Sequence, residues 1–472
     1  MNTKFSLLKN ILLYIICFFT LVLILLPVFR NLESDILYFL SSHFLYYSFF
    51  SLTILIPLVL FFLKLIKKSN TLLFILTNII CIYMFEIYFE IIHLRLNYQK
   101  SWLKKAEILA REQNIKFDFR SKIQFLDSLN SINNNTFSNL SVSTFFNNKN
   151  YQNGIPTTNG DTILPLGGIS NSFTTLDKEN GYFPIIYLDD NGFRNDINLN
   201  DINNIDFVLI GDSYAESYSV DSRSTIANTF ISKGYSTICL AKAGNGPLSE
   251  LATLIEYGEK YKPKYVIWFY CFNDLTDLKI ELNSELLKKY LYKNGFSQSL
   301  IKKQEDVDKI LKHHNFLEEQ KYHKNNLKLY NHKFSLKRVL RLFHIRSHLI
   351  ITKKTYNEAK LVDNNYDIFE LIIKKANHFV NSWNGKLIFV YLPDFNNYGK
   401  LWDNFEIKRK NTFLKSVNMD SILVIDANTI FDKHSNPLEL FPFEQFLHYS
   451  EKGYRFLTLQ LINILKDRNI ID

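Results

Sequence analysis

Three long apolar runs lie within the first ninety residues of the chain. They extend from Ile11 to Phe29, from Phe44 to Leu63 and from Thr71 to about Phe89, and each is long enough to cross a bilayer as a helix. A cleaved signal peptide is the alternative for the first run. That run is too long, lacks a clear small-residue cleavage site and is followed by two more runs. The pattern predicts three retained transmembrane helices, which form a membrane anchor over residues 1–95.

Basic residues flank these runs unevenly. Two lysines precede the first run and three lie between the second and third, whereas the loop after the first run holds Arg30 against two acids. The positive-inside rule then places the N-terminus in the cytoplasm and exports the C-terminal domain. Lys104 and Lys105 also flank a span and weigh against this orientation. We therefore predict a multi-pass protein of the cytoplasmic (inner) membrane.

Glu86 and Glu90 lie four residues apart near the end of the third apolar run. Acids inside a membrane can mark a transport path. These two fall where the helix should leave the bilayer, so the sequence favours an interfacial position for them.

From Thr162 onward the pattern changes to short apolar runs that alternate with helical stretches. Five runs are predicted to be β-strands, at 207–210, 236–240, 264–270, 386–391 and 421–426. Strands that alternate with helices predict an α/β fold with a doubly wound parallel sheet, whose sites lie at the carboxyl ends of the strands. We expect this domain over residues 161–472, with a helical insertion at 276–350. Residues 96–160 are predicted to form a helical linker and a mobile loop rich in Asn, Ser and Thr.

Composition narrows the possible partners. The 472 residues carry a formal charge of +9, but residues 1–105 hold ten basic residues against four acidic ones and so account for six of those charges. Much of the basic excess therefore flanks the membrane runs, and we expect no nucleic-acid partner. Four cysteines do not make a disulfide framework. No metal-ligand spacing is found, and we expect neither a metal nor a cofactor.

Four positions that come after predicted strands suggest a site for nucleophilic catalysis. Ser213 ends the first strand in Gly-Asp-Ser, where a sharp strand-to-helix turn would expose its hydroxyl and place its N–H near a helix N-terminus. An ordinary turn is the alternative. Gly244 lies after the second strand, where its N–H can point into a cleft. Asn273 lies after the third strand, where its amide can donate to an oxyanion or cap a helix. His448 lies late in the chain on a loop and is the natural general base.

Arg194 lies in a turn-rich segment ahead of the first strand of the sheet. Its guanidinium could clamp a carboxylate or another anion. It could equally tie the segment to the domain through a salt bridge, and the sequence slightly favours this structural role.

Together these segments resemble the GDSL, or SGNH, hydrolase superfamily. The pattern of that superfamily is Gly-Asp-Ser, a downstream Gly, Gly-x-Asn-Asp and a late His, in that order. The resemblance implies that Ser213 is the nucleophile and His448 the base. It also implies an oxyanion hole built from the N–H groups of Ser213 and Gly244 and from the side chain of Asn273. With residues 164–196 included, the sequence looks like membrane-anchored bacterial members without an assigned substrate.

The chain departs from the superfamily pattern at two positions. Cys271 replaces the Gly of the third block. The superfamily also has an Asp three residues before the His, and that position is Gln445 here. Glu444, one residue off, is a possible acid for His448, and a backbone carbonyl is the alternative.

Two functions follow from this pattern. The first is an exported serine esterase or O-acyltransferase that acts on acyl esters of envelope glycan or lipid, for which partner proteins of envelope biosynthesis are an expectation. The second is a catalytically inactive binding or assembly module that kept the fold. A metal-dependent phosphatase using Asp212 is disfavoured because the sequence shows no ligand cluster.

Overall fold

The computed structural model describes residues 82–91, 108–112, 116–146, 151–157, 159–195, 204–329 (backbone only for 322–329), 335–343, 365–398, 410–411, 413–415, 417, 422–445 and 448–472. The chain divides into two compact units. One unit comprises residues 1–98 and 333–353, and the other comprises residues 99–332 and 354–472.

Nine strands and twelve helices are named here among the described residues, and a further helical turn lies at residues 108–112. The strands are β1 (Ile155–Pro156), β2 (Thr162–Ile163), β3 (Ser172–Thr174), β4 (Ile186–Leu188), β5 (Phe207–Ile210), β6 (Thr237–Cys239), β7 (Tyr265–Tyr270), β8 (Lys386–Tyr391) and β9 (Leu423–Asp426). The helices are α1 (82–91), α2 (Lys122–Asn130), α3 (Ser143–Phe146), α4 (Ile226–Ser232), α5 (Pro247–Thr253), α6 (Asp274–Glu281), α7 (Glu285–Tyr292), α8 (Gln304–Leu329), α9 (Leu336–Leu340), α10 (Tyr366–Asn381), α11 (Asn428–Phe431) and α12 (Glu451–Asp467). Short 3₁₀ turns lie at Ser222–Ser224, Leu300–Lys303, Phe395–Asn397, Pro437–Leu440 and Pro442–Glu444, and a π turn at Leu254–Gly258 extends α5.

A five-stranded sheet forms the centre of the larger unit. Its strand order is β6-β5-β7-β8-β9, and every neighbouring pair is parallel. The prediction of a parallel α/β sheet is confirmed. Counted from β5, the order is 2-1-3-4-5, which reverses direction between β5 and β7. Ligands of open α/β sheets bind beyond the carboxyl ends of the strands at such a reversal.

Both faces of this sheet are covered. Successive residues of β5 alternate between two hydrophobic cores, with Val208 and Ile210 in one and Phe207 and Leu209 in the other. All four are fully buried, which explains why the strand is an unbroken apolar run rather than an alternating one. The sheet is therefore a rigid layer, and the turns at its carboxyl edge are held by packing on both sides.

The segment predicted to be a mobile loop is packed where it is described. Within residues 133–146, Val142 and Phe145 are each 1% exposed and belong to the main core. Lys242 donates to Asn139 Oδ1 across 2.7 Å. Apolar side chains thus anchor this part of the segment beside the Gly244 turn, and its mobility stays a prediction. The polar composition of this segment gave no indication that Val142 and Phe145 would be buried.

The predicted membrane runs lie mainly outside the described residues. The first two runs fall there entirely, and the third is described only from residue 82. Among the residues that the structure describes, no helix combines the length and apolar character needed to span a bilayer.

Candidate active site

The turn after β5 presents Ser213 without the helix that was expected to follow it. A Cβ atom at Gly211 would lie 2.6 Å from the Ala215 Cβ, so only glycine fits at the end of the strand. Asp212 Oδ1 then accepts from the Tyr214 N–H at 2.9 Å and closes the turn. Residues 212–220 form successive turns, and α4 begins only at Ile226. The predicted helix N-terminus at Ser213 is therefore absent, and positive φ values at Ser217 and Ser219 interrupt any helix in this segment.

Ser213 and His448, 235 residues apart in sequence, meet at this edge of the sheet. Ser213 Oγ lies 2.8 Å from His448 Nε2 and 3.3 Å from Asp212 Oδ2. A hydroxyl at hydrogen-bond distance from an imidazole nitrogen is the arrangement that an activated serine nucleophile needs. The structure thus brings together the two residues that the sequence paired as nucleophile and base.

The loop that carries His448 is fixed on its C-terminal side. Tyr449 is fully buried and its hydroxyl donates to the Pro393 carbonyl. Ser450 caps α12 by accepting from the Gly453 N–H at 3.1 Å. His448 therefore lies two residues before the N-cap of α12, and its buried neighbour Tyr449 limits the movement of the loop.

Glu179 holds the other side of the His448 ring. Its Oε2 and Oε1 atoms lie 3.0 and 3.1 Å from His448 Nδ1, and Oε2 also accepts from the His448 backbone N–H at 2.9 Å. Glu444, the acid considered from the sequence, is exposed and accepts from Asn436 Nδ2 at 3.5 Å. Glu179 therefore binds the His448 ring in the way that was considered for Glu444. Its carboxylate comes from a different loop, between β3 and β4.

The turn that carries Glu179 is tied to the turns that follow Ser213. Asn180 Nδ2 donates to the Ser219 carbonyl at 3.0 Å, and the Ser219 hydroxyl donates to the Asp177 carbonyl. Gly181, at φ +88°, allows the chain to reverse at this point. The Glu-Asn-Gly sequence marks a turn, but nothing in its spacing relates it to a histidine 269 residues later, so sequence reasoning missed it.

Two aromatic rings pack against His448. The ring centroids of Tyr218 and Tyr214 lie 4.4 and 4.6 Å from that of the imidazole. Burial by itself would lower the pKa of His448, but the charge and hydrogen bonds of Glu179 outweigh it and raise that pKa above its ordinary value. The ring is thus held in an environment that stabilises an imidazolium.

Two backbone N–H groups in the turns that follow β5 and β6 have no acceptor among the described residues. They belong to Ser213 and Gly244. Gly244 has φ +81°, and a Cβ atom there would lie 2.7 Å from the Ser141 Cβ. Both reasons require glycine at this position. Such unengaged donors are the groups that can stabilise an oxyanion.

Asn273 lies at the end of β7 but its amide hydrogens are engaged. Asn273 Nδ2 donates to Asp277 Oδ2 at 2.7 Å and to Asp212 Oδ2 at 3.3 Å. Its side chain makes no capping bond to α6. Ser213 Oγ lies 3.3 Å from the same Asp212 oxygen, so one carboxylate atom links Asn273 to the nucleophile. Asn273 can serve an oxyanion by exchanging the longer of its two bonds.

A buried group of acids lies beneath the site and includes a possible metal-ligand set. Asp212, Cys271 and Asp274 each place one ligand atom within 4.8 Å of the others. Burial raises the pKa of the Cys271 thiol and of Asp274 well above their ordinary values. The Cys271 thiol has more than one acceptor within reach of its one hydrogen. Its Sγ lies 2.7 Å from Asn273 Oδ1 and 3.1 Å from Asp212 Oδ2. With the thiol protonated, hydrogen bonds from Cys271 to Asp212 and Asp274 join the three side chains.

Arg194 is a buried residue that binds the turns after Ser213. It is 5% exposed and donates to the Ser217 carbonyl at 2.9 Å and the Val220 carbonyl at 2.5 Å. The structural role favoured from the sequence is supported, although the described partners are backbone carbonyls rather than a carboxylate. Arg194 thus helps to hold the turns after Ser213.

Comparison with known proteins gives weak similarities. No protein-family model and no curated protein matches the chain. One similar solved structure is described as a lipolytic protein of the G-D-S-L family from Desulfitobacterium hafniense DCB-2. It is 14% identical, covers 56% of this chain and 100% of its own, and has a TM-score of 0.28.

Two further structures are similar at the same level. The lipase Lip_vut3 from a goat rumen metagenome is 14% identical over 55% of this chain and 96% of its own, with a TM-score of 0.31. A carbohydrate esterase, whose active site displays divergent catalytic and non-catalytic binding functions, is 9% identical over 64% of this chain and 85% of its own, with a TM-score of 0.28. Because these similarities are low, the case for chemistry at this site rests on the contacts described above.

Proposed function

We propose that this chain is a serine esterase or O-acyltransferase of the SGNH type. The observation that carries the proposal is the continuous contact from Ser213 Oγ to His448 Nε2 and from His448 Nδ1 to Glu179. A nucleophile, a base and an orienting acid in that order form the arrangement that acyl transfer requires. The orienting acid is Glu179, which precedes Ser213 in the sequence. The lack of an acid at position 445 therefore no longer favours an inactive module.

The chemistry follows from these positions. His448 Nε2 accepts the Ser213 proton as Oγ attacks the carbonyl carbon of an ester, and the electron pair of the carbonyl bond moves to its oxygen. The N–H groups of Ser213 and Gly244 donate to that oxyanion. The tetrahedral adduct collapses to an acyl-serine and expels the alcohol, which takes its proton from His448. Water or a sugar hydroxyl then gives its proton to His448 as it attacks the acyl-serine. The second tetrahedral adduct breaks its bond to Ser213 Oγ, which takes the proton back from His448.

The location and substrate class form a second part of the proposal. The three apolar runs and their flanking lysines support an inner-membrane anchor with the catalytic unit exported. An enzyme held there would meet acyl esters of envelope glycan or lipid. A reporter fused after residue 150 tests this orientation. It should be active only outside the cytoplasm, and cytoplasmic activity would overturn the proposed topology.

A serine-directed probe tests the chemistry. A fluorophosphonate should label the purified full chain at Ser213, and Ser213→Ala should remove the labelling. His448→Ala should also abolish it, whereas Glu444→Gln should label like the unmodified chain. A folded protein that does not react would instead support the inactive binding module.

Hydrolysis and transfer can then be separated by product analysis. An acyl-ester donor that labels the enzyme is offered with and without a glycan acceptor, and free acid and acylated glycan are both measured. An esterase releases acid at the same rate in both conditions. A transferase forms acylated glycan at the expense of free acid.

A further inference from the structure

Glu90 is a fully buried acid whose partner comes from a distant part of the chain. Its carboxylate accepts from Arg338 Nη2 at 2.6 Å, from Arg338 Nε at 3.1 Å and from the Ser335 backbone N–H at 3.0 Å. A buried carboxylate is tolerated when it is paired in this way. Residues 335–343, which we term the returning segment, are therefore fixed to α1 within the smaller unit.

Both fixed elements expose apolar side chains. On α1, Met84 and Tyr88 are 63% and 57% exposed and lie four residues apart, which places them on one helix face. On the returning segment, Leu336 and Leu340 are 62% and 61% exposed with the same spacing. Contiguous exposed apolar patches rimmed by polar residues mark sites of protein or membrane contact.

The basic side chains next to these leucines indicate the kind of surface that the segment contacts. Lys337 and Arg341 are exposed on the returning segment beside Leu336 and Leu340, and the described residues 335–343 contain no acid. A short element that combines basic and large apolar side chains is typical of the boundary between headgroups and acyl chains of an anionic bilayer. The returning segment is attached at Glu90, which lies where the third apolar run ends. This position is consistent with a place at the surface of the membrane.

We infer that the returning segment is a membrane-interface contact that binds an anionic phospholipid surface. Leu336 and Leu340 enter the acyl boundary, and Lys337 and Arg341 meet phosphate groups. The inference rests on the proposed membrane anchor. It adds a second attachment, supplied by the predicted insertion at 276–350, to the N-terminal runs.

Photo-crosslinking of the full chain tests the contact. The photoreactive residue p-benzoylphenylalanine replaces Leu336 or Leu340, and the protein is reconstituted in phosphatidylcholine vesicles with and without phosphatidylglycerol. Ile132, which is 85% exposed on the larger unit, is the matched control position. Lipid adducts measured by mass spectrometry are expected at 336 and 340 and not at 132. Fluorophosphonate labelling of each variant is a separate check on folding and activity.

A probe at Leu55, inside the second apolar run, separates failure of the inference from failure of the anchor. Adducts at 55 without adducts at 336 and 340 would overturn the inference and leave the anchor intact. Absence of adducts at all three positions would overturn both. Lys337→Gln and Arg341→Gln should each lower the phosphatidylglycerol-dependent adduct yield at 340 by roughly fivefold. An unchanged yield in both variants would contradict the anionic preference.

Discussion

Glu179 Oε2 lies within 3.0 Å of both His448 Nδ1 and the His448 backbone N–H, although 269 residues separate the two positions. One carboxylate thus fixes both the ring and the chain that carries it. An imidazole oriented by an acid on one nitrogen presents the other nitrogen as a base. The loop between β3 and β4 is therefore part of the candidate site.

Glu179→Gln should slow turnover by about 10²- to 10⁴-fold. The amide cannot stabilise the imidazolium that forms when Ser213 gives up its proton. Because the carboxylate raises the pKa of His448, its loss should also move the acid limb of the kcat/KM profile to lower pH. Steady-state kinetics across pH, on an ester that labels Ser213, measures both effects.

Glu444→Gln is the control for this substitution, since Glu444 is exposed and contacts Asn436. It should leave rate and profile unchanged. A large rate loss in Glu444→Gln, with Glu179→Gln near the unmodified rate, would contradict the assignment of Glu179.

The five strands and the residues at their ends follow from sequence because the signals are local. β5 and β7 are apolar runs that end at polar turns, and the structure places Ser213 and Asn273 at those ends. Glu179 could not be found in this way. Its relation to His448 arises from two loops that pack together, and no periodicity connects them. The turns after Ser213 also differ from the predicted helix, since Ser217 and Ser219 have φ values of +64° and +60°, which a right-handed helix does not allow.

Tyr218→Leu should move the acid limb of the kcat/KM profile to lower pH by about 0.5 unit. The Tyr218 ring lies 4.4 Å from the imidazole centroid and can stabilise its protonated form. Tyr218→Phe keeps the ring and should retain the original limb. If both substitutions shift the limb equally, the hydroxyl rather than the ring would be responsible and this explanation would fail.

Asn273→Ala should lower kcat by about 10²- to 10³-fold with a smaller change in KM, the effect expected when one oxyanion donor is removed. The longer of its amide bonds, at 3.3 Å to Asp212, is the one available for exchange. Asn283→Ala is a suitable control because Asn283 is exposed and donates to the Ile280 carbonyl. A kcat within a few-fold of the unmodified chain would show that Asn273 is not an oxyanion donor.

Asp277 links the candidate site to the pH dependence of stability. Burial raises its pKa to about 6, against the lowering effect of its bond from Asn273. An acid whose pKa is raised on folding stabilises the folded state below its unfolded pKa, near 4, and that stability is lost as pH rises towards 6. The penalty above pH 6 is of the order of 3 kcal/mol, from about two units of pKa difference.

Asp277→Asn should therefore raise Tm above pH 6 relative to the unmodified chain and have little effect below pH 4. Its amide oxygen can still accept from Asn273, so the local bond survives. Thermal unfolding of the full chain in detergent micelles across this pH range measures the difference. Asp190→Asn, at an exposed acid of the same unit, should leave the pH dependence of Tm unchanged. A Tm difference between Asp277→Asn and the unmodified chain that is constant across pH would show that ionisation of Asp277 does not control stability.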